Sequence, residues 1–172
     1  MEPGSLPECA ASSTGSHEGS QRGQNLLSMA AAAGNIEAVD EVNRADEHGR
    51  TPLYNVCGNG QVDAARLLLD KGADVNRATE DGATPLSIAC QNGHVDVARM
   101  LLDKGTEVNR VGKDGETPLY LACQNGHVDA VRLLLEKGAE VDRAREDGAT
   151  PLSIAKSKGH SSIVALLGEH QK

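Results

Sequence analysis

Cys90 and His94 form a C-x3-H pattern, and Cys123 and His127 repeat it. A thiolate beside an imidazole offers two zinc ligands, or a nucleophile and its base. Structural zinc takes four such ligands, and neither pair has a second pair nearby in the sequence. Nucleophilic catalysis needs a base, an orienting group and an oxyanion site converging in one pocket. Here the same candidate recurs in equivalent copies along the chain. His160 keeps the histidine in the last copy, but Lys156 replaces the cysteine, so the pair is not maintained as a pair. Gly58-Asn59-Gly60 lacks the preceding strand that a dinucleotide fingerprint requires. The chemistry-bearing residues therefore predict no enzyme, no metal site and no cofactor.

The elements that carry these residues are set by a period. Thr-Pro-Leu begins at Thr51, Thr84, Thr117 and Thr150, a spacing of 33 residues each time. Self-similarity at such a period marks stacked units, each too small to bury its own apolar face. In the unit from Thr84, threonine suits an N-cap and Pro85 the first helical position. Leu86, Ile88, Ala89 and Cys90 supply the apolar surface of a short helix. Gly93 suits its left-handed end. A second helix is predicted from Val95, with Val95, Ala98, Leu101 and Leu102 on one face and Gly105 ending it. Asp96, Arg99 and Asp103 are spaced for pairing along its outer face, as are Asp63, Arg66 and Asp70, and Asp129, Arg132 and Glu136. The stretch from Glu107 through Lys113, Asp114 and Gly115 is rich in turn residues and partly β-like. Residues 1–24 are mostly small and polar and read as a disordered tail.

Composition bounds the partners. The net charge is −8, a surface that repels nucleic acid and anionic membranes. No apolar run approaches a transmembrane length, and the opening MEPGSLPECA has neither a basic nor an apolar region of a secretory leader. There is no Trp, no Phe and two Tyr, so the core must be aliphatic. Cys57, Cys90 and Cys123 share one position in three units. Stacked helices stand about 8–10 Å apart, beyond the Cα separation of about 7 Å that a disulfide bridges. Reduced, buried thiols and a cytoplasmic or nuclear compartment are expected.

Asp-Gly-x-Thr-Pro-Leu, then Ala-Cys-Gln-Asn-Gly-His-Val-Asp, then Leu-Leu-Asp-Lys-Gly and Val-Asn follow in order from Thr79 to Val111 and recur nearly unchanged in the next unit. In these segments the chain resembles the ankyrin repeat over residues 25–172. The resemblance implies an all-α repeat solenoid of stacked helix-turn-helix units with β-hairpin-like loops. The units expected are a degenerate N-terminal cap at 25–45, then 46–78, 79–111 and 112–144, and a C-terminal cap at 145–172. The family's histidine after Thr-Pro-Leu is absent. Tyr54, Ser87, Tyr120 and Ser153 alternate there instead, and Ala78–Ala89 and Ala144–Ala155 differ only at Thr79 and Arg145, which indicates a duplicated two-unit block.

The resemblance implies a non-catalytic scaffold or adaptor that binds a protein through hairpin tips and the concave face of the first helices. The tip residues are Glu47, His48 and Arg50, then Glu80, Asp81 and Ala83, then Lys113, Asp114 and Glu116, then Glu146, Asp147 and Ala149. Asn59, Gln91, Asn92, Gln124, Asn125 and Lys158 stand at first-helix ends, and Tyr54 and Tyr120 either add contact area if exposed or lie partly buried between units. The acidic tips suit a basic partner segment, although Arg44, Arg77, Arg110 and Arg143 run parallel and could neutralise them. A monomer is expected. Two other readings implied by resemblance are a small ankyrin-type inhibitor of an enzyme such as a kinase, and a targeting fragment of a larger protein. Asn43, Asn76, Asn109 and Asp142 share one loop position where the family's side chain bonds loop backbone. Asn76 and Asn109 also fit the family's context for asparagine hydroxylation.

Overall fold

Each unit opens on a threonine cap. In the computed structural model, which describes residues 39–170, the Thr51 hydroxyl accepts the Tyr54 N–H at 3.2 Å. Thr84, Thr117 and Thr150 accept from Ser87, Tyr120 and Ser153, each at 3.1 Å. In the two serine units the cap is reciprocal: the Ser87 and Ser153 hydroxyls accept the threonine N–H at 2.8 Å. The predicted tail at 1–24, Cys9 and most of the 25–45 cap lie outside the described residues.

The helices follow from these caps. A single turn, α1 (Val39–Val42), precedes the pairs α2 (Pro52–Gly58) and α3 (Val62–Asp70), α4 (Pro85–Gln91) and α5 (Val95–Asp103), α6 (Pro118–Asn125) and α7 (Val128–Glu136), and α8 (Pro151–Ser157) and α9 (Ser161–His170). The predicted starts at Pro85 and Val95 stand. Gly93 ends α4 with φ at +75°, a conformation that costs glycine little and other residues more.

First helices α2, α4, α6 and α8 pack in one row. Second helices α3, α5 and α7 form another, and α9 closes on α7 and α8. Between the rows lies an aliphatic core. Leu53, Leu86 and Leu119, from three Thr-Pro-Leu copies, are fully buried, as are Leu68, Leu101 and Leu134 from the second helices. Burying a leucine of this kind is worth about 1.5–3 kcal/mol, and only a neighbouring unit supplies the cover. Cys57, Cys90 and Cys123 sit in the same core as free thiols. In α5 the inward stripe is Val97, Ala98 and Leu101, with Val95 and Leu102 half-buried. Val97 was absent from the expected face. With neighbours on both sides, α5 buries a stripe shifted toward Val97.

The loops between units are hairpin-like in bonding, with no strand among the described residues. The Thr79 N–H donates to Ala83 O and the Gly82 N–H to Thr79 O, each at 2.9 Å. Successive tips are also joined, by Glu80 N–H to His48 O at 3.1 Å and Lys113 N–H to Asp81 O at 2.8 Å.

Polar side chains lock the units together. His94 Nε2 bonds Gly58 O at 3.0 Å, His127 Nε2 bonds Gln91 O at 3.0 Å and His160 Nε2 bonds Gln124 O at 3.2 Å. Asn43 accepts the Asp74 N–H at 2.8 Å, Asn76 the Glu107 N–H at 3.3 Å, and Asn109 the Glu140 N–H at 2.9 Å. Charges on the second helices also pair across units rather than along one helix. Lys137 meets Asp103 at 2.7 Å and Lys104 meets Asp70 at 3.7 Å. Among the described residues no ion pair within 4 Å involves Arg66, Arg99 or Arg132. Each lysine follows the end of its helix and so reaches the preceding unit's helix end.

Candidate interaction surface

Each histidine of the C-x3-H pattern spends its Nε2 on a carbonyl of the preceding unit. Burial pushes the Cys90 and Cys123 thiols up to about 12 and Cys57 still higher. A thiol so strongly protonated is a poor nucleophile and a poor metal ligand. No cluster of three or more potential metal ligands occurs among the described residues.

The tips differ from one another. At the first, Asp46 organises the loop. Its carboxylate accepts the His48 N–H at 3.0 Å and the Arg50 N–H at 2.9 Å, and meets Arg50 Nε at 2.8 Å. Burial works to raise its pKa, but these hydrogen bonds and the guanidinium outweigh it and hold the group below the usual carboxylate value. The sequence reading missed Asp46, although an aspartate two and four residues before unpaired N–H groups of a turn is its visible signal. Arg50 is accordingly half-buried, while Glu47 and His48 remain exposed.

Between the tips of units 79–111 and 112–144 lies a groove of about 330 Å³. It gathers Asp81, Ala83, Gln91, Lys113, Asp114 and Glu116, all expected from the sequence, and adds Ser87, Gly112 and Leu121, which were not. Glu47, His48, Arg50, Tyr54, Asn59, Asn92, Gln124, Asn125, Glu146 and Asp147 lie outside it. Asn92 bridges units instead, donating to Gly58 O at 2.8 Å, and Asn125 donates to Leu121 O at 2.9 Å.

Tyr120 takes the buried one of its two expected places. It is only 2% exposed, so it presents no side-chain surface to a partner. Arg145 covers it, with the guanidinium 5.3 Å from the ring centroid and Nη1 donating to the phenol oxygen at 3.4 Å. The same guanidinium meets Glu116 at 3.4 Å. Tyr54, with Thr79 in place of that arginine one unit later, is half-buried. Burial, then the nearby Asp81 and Asp46 carboxylates, raise its phenol pKa, against the opposing pull of Arg50.

Two of the four parallel arginines are engaged within their own loops. Arg110 pairs with Glu107 at 3.7 Å and Arg143 with Glu140 at 3.2 Å, each inside its own loop. Among the described residues no ion pair within 4 Å involves Glu80, Asp81, Asp114 or Glu146. The carboxamides of Asn76 and Asn109 are engaged with the next unit.

With helix pairs, hairpin-like tips and inter-unit ladders in view, one comparison decides the family. The profile for ankyrin repeats (3 copies) matches residues 8–77, 27–112 and 108–172. The chain belongs to the ankyrin-repeat family. Ankyrin repeats are generally protein-interaction modules and typically non-catalytic, which points to protein partners. No curated protein matches the chain significantly. No helix among the described residues is long and apolar enough to cross a membrane.

Proposed function

We propose that this ankyrin-repeat chain is a non-catalytic scaffold that holds a basic segment of a partner protein along its hairpin tips and the neighbouring first-helix surface. The observation behind this reading is the state of the tip carboxylates. Glu80, Asp81, Asp114 and Glu146 are exposed and outside the ion pairs, whereas Arg110 and Arg143 are occupied by glutamates of their own loops. The field at the tips is therefore left to act on something else. Charges of this kind steer association and set its salt dependence more than they set raw affinity. The deactivated thiols and the occupied histidines support a binding role over a catalytic one.

The test is affinity capture from native cell extract with the chain as bait. The control is a variant with Glu80, Asp81, Glu146 and Asp147 changed to Ser. The expected result is a partner identified by mass spectrometry on the parent bait, weakened by salt and lost from the variant. A partner retained equally by both baits would sink the tip reading.

A further inference from the structure

The alternation after Thr-Pro-Leu creates an opening at one junction between units and closes it at another. In the junction of units 112–144 and 145–172, Tyr120 and Arg145 fill the space beneath the tips, ring under guanidinium. Thirty-three residues earlier, the same two positions hold Ser87 and Gly112. Ser87 turns its hydroxyl back to Thr84 O at 2.9 Å, and Gly112 has no side chain. Both line the 330 Å³ groove, with Leu121 as a third small piece of floor and Asp81 and Asp114 at the rim. At the first junction Tyr54 and Thr79 hold these positions. The remaining rim acid, Glu116, is already paired with Arg145.

We propose that the hollow between Ser87 and Gly112 is the anchor pocket of the interaction surface, and that it receives an arginine side chain from an extended segment of the partner. The proposal rests on the reading of the tips as a binding surface and names the one place on them where a side chain is inserted. Three observations favour this occupant. At about 330 Å³ the hollow is near the lower end of small-molecule sites, room for a side chain or two. Its lining carries the unpaired carboxylates Asp81 and Asp114, which with Glu116 outnumber the lining's one cation, Lys113, and are complementary to a guanidinium. The next junction shows what fits: there an arginine of the chain itself lies in the equivalent space against a first-helix side chain. In addition, Val111, directly before Gly112, is 36% exposed and stands out as an exposed large apolar side chain. It offers apolar contact to residues flanking an anchor.

The chain supplies its own plug for the test. The variant Ser87→Tyr with Gly112→Arg copies the filled junction into the open one without touching a tip acid. A Cβ at Gly112 meets nothing nearer than Asp81 O at 3.5 Å, ordinary contact, and its φ is not left-handed. The two single variants provide the same readout should the double variant fold poorly. The probe is the blocked tripeptide Ala-Arg-Ala, titrated into the isotope-labelled chain by NMR, with norleucine replacing arginine as control. Saturable shifts are expected at Ser87, Gly112 and Leu121 for the arginine peptide alone. They should weaken by about tenfold or more in affinity in the filled variants. Shifts spread equally over Glu146 and Asp147, shifts that survive filling, or none at these three amides overturn the proposal. A partner captured by the filled variant as well as by the parent, yet lost from the tip-serine bait, overturns the anchor and leaves the tip reading standing.

Discussion

Gly93 and Gly105 share a left-handed backbone but not their surroundings. Gly93 has φ at +75°, and a Cβ there would stand 2.5 Å from His127 Nδ1. Gly105 has φ at +87° with nothing within 4 Å of that position. Gly105→Ala is therefore expected to cost the backbone term alone, about 1–2 kcal/mol, and Gly93→Ala clearly more. Urea midpoints measure both. His127→Ala placed on top of Gly93→Ala should cost less than on the parent, because it relieves the clash and removes a bond to Gln91 O that the displaced imidazole has already weakened. Equal losses at the two glycines would show that the imidazole yields freely. The buried thiols give a second residue-scale expectation. Their ordinary pKa of 9.0 applies in the unfolded chain, while Cys90 and Cys123 stand near 12 in the fold. A raised folded value means stability is full below about pH 9 and falls as pH climbs toward 12. Denaturation midpoints across that window, with Cys90→Ala as the variant of shallower slope, check it. With Cys9 replaced by serine, the three core thiols should also stay unreactive toward a disulfide reagent at pH 8 until denaturant is added.

At the scale of the element, the first helices start on threonine caps, and the units are not equal. Thr84 and Thr150 share their caps with a serine, while Thr117 caps α6 alone. Thr117 is 1% exposed, so Thr117→Ala leaves the Tyr120 N–H without its partner away from water. A loss of about 1–2 kcal/mol is expected, within the usual range for such caps, read by thermal or urea unfolding; Thr117→Ser should restore most of it. These caps were legible in the sequence because Thr, Pro and the closing Gly act within a few residues of one another. So were the helix spans in the unit from Thr84. The histidine ladder was not, because His94 bonds a carbonyl 36 residues back, and its spacing to Cys90 says nothing of that partner. The ion pairs failed for the same reason. Along one helix Arg99 and Asp103 are well spaced, but Lys137 arrives from the next unit at 2.7 Å. The candidate groove was half legible. Its acidic rim follows from unit-to-unit alignment, whereas its floor depends on what Ser87 and Gly112 leave unfilled, a property of the junction and not of either unit.

For the whole molecule, the decisive fact is that the main helix contacts among the described residues run between neighbouring units. Stability then behaves as unit terms plus junction terms along a line, and position in the line decides how far damage spreads. Ile163 in α9 is fully buried, but its unit has a neighbour on one side among the described residues. Leu101 in α5 is equally buried, with α3 and α7 on either flank. Each truncation to alanine costs about 2–5 kcal/mol. In the Ile163→Ala variant that loss falls on a unit supported from one side among the described residues. Hydrogen exchange should show α8 and α9 losing protection while α4 to α7 keep theirs. Leu101→Ala should instead lower protection on both sides of α5, because both adjoining junctions lean on it. Uniform loss of protection across α2 to α9 in the Ile163→Ala variant would mean that the stack unfolds as one body. The groove between Ser87 and Gly112 would then depend on the last unit for its shape. If the end frays alone, the anchor pocket belongs to the two central units and survives the loss of the cap beside it.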